Sequence, residues 1–273
     1  MRRLFPVTDE TVSAPVPVTA PASAPAPVSA ADREWSLDEL ADAYAYPKAV
    51  GARGAWLRAN MVSSLDGAAH HEGRSQPISS STDMRIFGTL RGLADVVIVG
   101  AETVRLEGYR PARARAAFAA RRAAAGQGPA PAVAVVSASL DLDFSLPLFT
   151  SPLVPTLLLT GATAPPDRVR AAREAGVEIV VAGDEAAVEP SLAVAALAER
   201  GLTRLLTEGG PRLLAQFITG GVLDELCLTV SPTLVAGRAQ RIADGPGVAV
   251  PEWFTLASLL EEAGFLFTQY RRN

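Results

Sequence analysis

The chain has almost none of the residues that bind metals or form covalent bridges. Cys227 is its only cysteine, and its only histidines, His70 and His71, are adjacent. One cysteine cannot close an intrachain disulfide, so a cytoplasmic setting is the natural expectation. The set cannot build a structural zinc site, and no metal is expected. A deaminase zinc site, with His-x-Glu and Cys-x-x-Cys, is excluded as well. Lys48 is the sole lysine, so nearly every cation is arginine. No apolar run approaches the ~18 residues of a membrane span. Arg2 and Arg3 are followed by prolines rather than an apolar stretch, which argues against an export signal. No GxGxxG fingerprint follows the first strand of the body, so any dinucleotide is held outside the usual Rossmann pattern. Charge is nearly balanced, 25 basic against 29 acidic residues, which argues against a general nucleic-acid binder.

What is present is an apolar-rich chain of 273 residues, enough for one large domain or two small ones. Residues 6 to 30 carry six prolines and deny helix and sheet alike. Residues 1–33 are therefore expected to be a disordered or polyproline-II tail, and 34–273 the folded domain. Ser36–Tyr44 predicts a short helix, with Ser36 as N-cap and Glu39 closing a capping box. The body is expected from near Ala55, where Ala55–Ser63 reads as a strand and Thr82–Leu93 as an amphipathic helix. Asp95–Gly100 is a short apolar run of the kind buried in a parallel sheet. Ala112–Ala125 predicts an exposed helix, and Ala132–Ser137 another buried strand. Strands are expected again at 156–160, 177–181, 204–207, 225–231 and 264–270. Helices are expected between them at 165–175, 191–200 and 211–219. Alternation of this kind means an α/β fold with a mainly parallel sheet, closed by an antiparallel C-terminal edge.

Four segments could carry chemistry. In Leu205–Leu214, LLTEGGPRLL, a strand ends at Glu208, Gly209 and Gly210 force a tight turn, and Pro211 opens a helix. Ligands of open α/β sheets bind at such strand ends, and the free amides of the following helix favour an anion. An ordinary turn with a surface glutamate is the competing reading. In Ser63–Gly67, SSLDG, Asp66 stands at another strand end, where a plain turn explains it equally well. In GAETVRLEGY a strand runs into Gly100, and Thr103 either holds phosphate or ribose or merely caps a helix. The loop Gly73–Ser81, GRSQPISSS, binds a phosphate or solvates a turn.

Taken in order, SLDG, GRSQPIS, GLADVVIVGAETVRLEGY, LLTEGG and LDELCLTVSPTLVAG resemble the riboflavin-biosynthesis pyrimidine reductase family, over roughly residues 55 to 271. The resemblance implies a dihydrofolate-reductase-like three-layer fold. It implies NADPH-dependent reduction of 5-amino-6-(5-phosphoribosylamino)uracil to its ribitylamino product. Dihydrofolate reduction and a non-catalytic NADPH-binding protein are the alternatives. On this likeness Val62, Thr103, Glu107 and the run Gly210, Pro211, Arg212 and Leu213 fall where the family touches NADPH. Gly209 supplies the turn, Gly100 the strand end, and Ser137 (with Ser139) the place of the adenosine 2′-phosphate. Ser75, Arg91 and Glu208 fall where the family touches substrate. Arg91, then Arg74, are the phosphate candidates, because a guanidinium fork matches a phosphate. Asp66 and Glu208 are the carboxyls expected near the reacting centre, as proton donor or as substrate-orienting groups.

Departures cluster on the substrate side. Asn60 stands where bifunctional members carry a lysine, and Pro77 where tryptophan is common. Leu106-Glu107-Gly108-Tyr109 replaces an Asp-Asp-Pro or Asp-Asn-Pro run. Arg110 and Arg113 are near the place of an arginine that usually follows a Leu-Thr pair. The accompanying deaminase domain is missing. Family members commonly form dimers, so a homodimer is expected, with Leu223–Val235 as a possible apolar sheet edge. A small-molecule substrate is expected, with no nucleic acid and no membrane.

Overall fold

The computed structural model describes residues 1–6, 33–48 and 53–273. One ten-stranded sheet organises them, in the order β1-β9-β10-β8-β2-β7-β3-β4-β5-β6. The strands are β1 (Arg2–Phe5), β2 (Trp56–Ser63), β3 (Val96–Gly100), β4 (Ala132–Val136), β5 (Leu157–Thr160), β6 (Glu178–Val181), β7 (Arg204–Thr207), β8 (Glu225–Val230), β9 (Phe254–Glu262) and β10 (Phe265–Arg272). From β8 through β6 every pairing is parallel, and β10, β9 and β1 add an antiparallel edge.

The parallel part is apolar on both faces because helices cover both. Val97 and Val99 of β3 face one core, with α1 (Leu37–Ala43), α2 (Ser81–Leu93), α4 (Ala116–Ala124), α5 (Pro147–Thr150) and α6 (Pro166–Glu174). Val96 and Ile98, alternate residues of the same strand, face the other core with α7 (Pro190–Glu199) and α8 (Pro211–Thr219). This is the period-two alternation of a strand buried twice. Ser36 caps α1 in the expected capping box with Glu39. Helix α2 starts at Ser80, whose hydroxyl accepts from the Asp83 amide at 3.1 Å.

Two crossovers fix where ligands can bind. The chain passes from β2 through α2 to β3 on one face, and from β7 through α8 to β8 on the other. Strand β7 lies between β2 and β3, so the connections diverge at its carboxyl end. Divergence of this kind opens a crevice outside the strand ends.

Three expectations are corrected. Arg2–Phe5 is not tail: it pairs with β9, while the rest of the expected tail, 7–32, lies outside the described residues. The strand in Leu223–Val235 is not a sheet edge, because β8 bonds to β10 on one side and β2 on the other. The arginine-rich helix is shorter than Ala112–Ala125: it spans Ala116–Ala124, and residues 109–115 form no regular element. Strand β9 was not anticipated, because its apolar residues suit helical spacing as well as strand spacing.

Candidate active site

Glu208 leaves the end of β7 on the α2 side, where Arg91 meets it. The guanidinium grips the carboxylate with two bonds, Nε to Oε1 and Nη2 to Oε2, each 2.6 Å. Tyr109 completes the cluster. Its hydroxyl accepts from Arg91 Nη2 at 2.6 Å and donates to Glu208 Oε2 at 2.5 Å. Phe87, one turn before Arg91, lies under the guanidinium with its ring centre 4.4 Å away. The Glu208 side chain is 6% exposed and that of Arg91 27%. Burial opposes the charge on Arg91, and the Glu208 carboxylate more than offsets it, so its pKa is raised. Burial, then the Glu208 charge, push the Tyr109 phenol well above its ordinary value, so it stays a neutral donor.

Asn60 shares this edge. The ladder between β2 and β7 ends at Ala59↔Thr207, so Asn60 is the next residue beside Glu208. Its side-chain amide has no hydrogen-bond partner among the described residues. Ser75 is exposed at the start of a short 3-10 turn, Gln76–Ile78, and its hydroxyl makes no cap bond there.

On the other side of the same turn, the backbone closes up. The Gly100 amide donates to the Gly209 carbonyl at 3.1 Å, joining the β3 and β7 ends. Gly209 has φ +85°, a region glycine enters freely, and the Gly209–Gly210 peptide is cis. A Cβ on Gly210 would stand 2.9 Å from Thr103 Oγ1, so only glycine leaves α3 (Ala101–Glu107) and the turn this close. Helix α8 starts at Gly210 with no side-chain cap, and Pro211 has no amide. The amides of Arg212 and Leu213 are left without helical partners. Polar backbone, a glycine cradle and an uncapped helix start suit the pyrophosphate of a dinucleotide. The Arg212 side chain reaches Glu102 at 3.7 Å. Val62 is half-buried near the end of β2, and Glu107 is exposed at the end of α3.

Two expected residues are engaged in holding turns and loops. Asp66 accepts from Ser64 Oγ at 2.5 Å and from the amides of Ala236 at 2.6 Å and Val235 at 3.1 Å. Those bonds, Ser64 first, hold its carboxyl at about 2. Asp66 therefore clamps the loop after β8 and carries no proton at neutral pH. The Ser137 hydroxyl accepts from the Leu140 amide at 3.0 Å, closing the turn after β4. Tyr109 is the residue sequence reasoning passed over. Its place just after the αL cap Gly108 marks a turn, but nothing local says the chain folds back onto Glu208.

A crevice of this build, at the carboxyl ends of a mostly parallel sheet with an antiparallel edge, is the ligand site of an open α/β fold. The chain belongs to the RibD C-terminal domain family, which it matches over residues 55–261. It is 32% identical over 190 residues to a protein of Methanothermobacter thermautotrophicus named 2,5-diamino-6-ribosylamino-4(3H)-pyrimidinone 5′-phosphate reductase, covering 69% of this chain and 83% of that one. A protein of the same name from Archaeoglobus fulgidus is 30% identical over 188 residues, covering 68% of this chain and 84% of that one. The crystal structure of a pyrimidine reductase-like protein from Corynebacterium diphtheriae superposes with a TM-score of 0.74 at 28% identity. It covers 86% of this chain and 98% of that one.

Proposed function

We propose that this chain is an NADPH-dependent reductase of a ribosylamino-pyrimidine 5′-phosphate in riboflavin biosynthesis. The observation that carries the proposal is the adjacency of Glu208 and Gly209–Gly210. One turn offers a carboxylate to the α2 side and bare backbone to the α3 and α8 side. A heterocycle on Glu208 and a nicotinamide on the glycine turn would meet at the end of β7. Gly100, Thr103 and the amides of Arg212 and Leu213 form the cofactor cradle, with Val62, Glu107 and Ser137 at its margins.

When bound, NADPH supplies a hydride. That hydride would reduce the carbon–nitrogen double bond of the opened ribosylamine, whose nitrogen also needs one proton. Glu208 accepts hydrogen bonds from the pyrimidine N–H groups and orients the ring. Arg91 keeps that carboxylate in place. Asn60, Ser75 and the free Nη1 of Arg91 are donors for the sugar and phosphate. Asp66 positions the loop and Glu208 is ion-paired with Arg91, which leaves water as the proton source. A homodimer in the cytoplasm fits the buried, unpaired Cys227 and the exposed Leu65 and Leu234, which the Leu65 amide to Thr233 carbonyl bond of 2.9 Å brings together.

The test is NADPH oxidation with 2,5-diamino-6-ribosylamino-4(3H)-pyrimidinone 5′-phosphate, with dihydrofolate as comparison. Ribitylamino product is expected from the first substrate. No oxidation with either the diamino-pyrimidinone or its deaminated analogue overturns the proposal.

A further inference from the structure

Asp83 is a buried carboxylate to which the reductase reading gives no part. It stands in the first turn of α2, is 6% exposed, and has no ion-pair partner among the described residues. Burial pushes its pKa up, and its two hydroxyl bonds lower it only in part. A carboxylate kept from water without a cation is costly unless its hydrogen bonds are good. Here both are short. Oδ2 accepts from Ser79 Oγ at 2.5 Å and Oδ1 from Thr229 Oγ1 at 2.6 Å. Ser80 caps α2, and in a capping box the carboxyl three residues on would accept from the Ser80 amide. Asp83 leaves that amide and turns to the two hydroxyls instead. Its carboxyl thus serves contacts between elements rather than the helix start.

Thr229 is buried on β8, opposite Val62 of β2 and close along that strand to Asn60. Among the described residues, side-chain hydrogen bonds join α2 to the sheet at two places, Asp83 to Thr229 and Arg91 to Glu208. The first holds the start of the helix and the second its last turn. Ser79 ends the loop that carries Ser75. The other hydrogen bonds of residues 71–79 stay inside that loop, joining His71 with Arg74, Ser75 with Ile78 and Gln76 with Ser79. The Ser79 hydroxyl therefore makes the loop's only hydrogen bond to another element among the described residues. Without it the loop is held by its two ends and by the buried Ile78.

We infer that Asp83 is a positioning residue for the substrate side of the site: it clasps loop 71–79 and α2 to β8, and through that loop sets where Ser75 stands. The role of Ser75 rests on the reductase reading; the clasp itself does not.

Hydrogen–deuterium exchange of the full chain tests the clasp, and steady-state kinetics tests its role. Asp83→Ala, and Ser79→Ala at a half-buried position, should each speed amide exchange across residues 71–79. Asp83→Asn keeps an acceptor and gains a donor that either hydroxyl can accept, so it should restore protection. The two alanine variants should raise the KM for the pyrimidinone phosphate about tenfold, the worth of one charged hydrogen bond. The KM for NADPH should stay near that of the native chain, and Asp83→Asn should return the pyrimidinone KM toward it. A merely structural carboxyl would lower the thermal midpoint and leave both KM values in place. If Asp83→Ala does not fold, Ser79→Ala carries the test. Unchanged exchange at 71–79 in Ser79→Ala overturns the clasp. Exchange in Asp83→Asn as fast as in Ser79→Ala overturns hydrogen bonding as its means. Faster exchange with neither KM moved, or with both moved alike, overturns the positioning role. Absence of turnover in the native chain overturns the reductase reading and the role of Ser75 with it, while the exchange result still decides the clasp.

Discussion

The Tyr109 hydroxyl donates to Glu208 at 2.5 Å while accepting from Arg91 at 2.6 Å. The carboxylate thus holds three donors before any ligand arrives. A substrate N–H must join them or displace one, and the phenol is the one on a short turn after Gly108. Tyr109 therefore stands in competition with the heterocycle. Tyr109→Phe keeps the ring beside Arg91, 5.2 Å from its guanidinium, and removes only the competing donor. The KM for the pyrimidine substrate should fall severalfold. Thermal stability should drop by about 1 kcal/mol, the usual worth of one hydrogen bond. Steady-state kinetics and a thermal midpoint check both, and an unchanged KM counts against competition.

Arg91 and Glu208 should respond unequally to loss of the partner. Arg91→Ala leaves a buried carboxylate with only the phenol, and breaking such a pair costs about 3–5 kcal/mol. The exposed part of Arg91 brings the expectation to the lower end of that range. Glu208→Gln keeps an acceptor for Arg91 and should fold nearly as well. Its turnover should nevertheless fall by about a hundredfold or more, as expected when a substrate-orienting group is lost. Urea unfolding together with turnover separates the two effects. Full turnover in Glu208→Gln would remove that residue from the site.

Much of this was legible in the chain because the signals were local. In DVVIVG the four residues before the glycine, Val96–Val99, are all apolar, which a doubly buried strand requires, and β3 is one. The Ser36 and Glu39 pair marked α1 through its capping box. The turn after β7 followed from two glycines and a proline. What stayed hidden depends on distant contacts. Residues 254–262 pair with both β10 and β1, and only that pairing chooses strand over helix. Tyr109 reaches Glu208 across 99 residues of sequence. The bonds of Asp66 come from a loop 169 and 170 residues away, so SLDG alone could not show that its carboxylate is a clamp.

A second ion pair should govern acid stability. Arg58 and Glu225 are fully buried and meet at 2.5 Å. Burial would raise the Glu225 pKa, but Arg58, with Gln269 and Arg271, outweighs it and holds the carboxyl below its ordinary 4.5. A carboxyl lowered by folding stabilises above its unfolded pKa and loses that contribution as pH falls through the folded value. The contribution is thus complete at neutral pH and fades below about 4.5. Arg58→Met should cost about 3–5 kcal/mol at pH 7, because it strands a buried charge. The penalty should shrink as acid protonates Glu225. Urea midpoints from pH 7 to pH 3 test this, and a penalty independent of pH would refute it.

Asp66 should behave as a positioning residue, not as an acid in turnover. Its carboxyl lies at about 2 against an ordinary 3.8, so its bonds to the loop persist down to strongly acid pH. Asp66→Asn keeps the shape but gives up the charged acceptor for the Val235 and Ala236 amides. KM should rise through the loosened loop, while the pH–rate profile above pH 5 keeps its form. The amide shifts of Val235 and Ala236 in the native chain should titrate toward about pH 2. A lost or displaced acid limb in Asp66→Asn would restore it as a proton donor.

The glycine cradle gives the sharpest test of the cofactor side. Gly210→Ala sets a methyl 2.9 Å from Thr103 Oγ1, closer than real Cβ atoms come. The turn and α3 must separate, and the amides of Arg212 and Leu213 shift with them. The KM for NADPH should rise about tenfold or more, with that for the pyrimidine less affected, because Glu208 points to the other side. Thr103→Ala alone loses a hydroxyl and should raise the NADPH KM by a smaller factor, on the order of one neutral hydrogen bond. In the double variant the methyl no longer meets Oγ1. Its NADPH KM should therefore lie below the product of the two single effects, a coupling that only neighbouring residues show. Measured by NADPH fluorescence titration as well as by kinetics, additive effects would mean that Gly210 and Thr103 act separately, and the cradle would not be the one described.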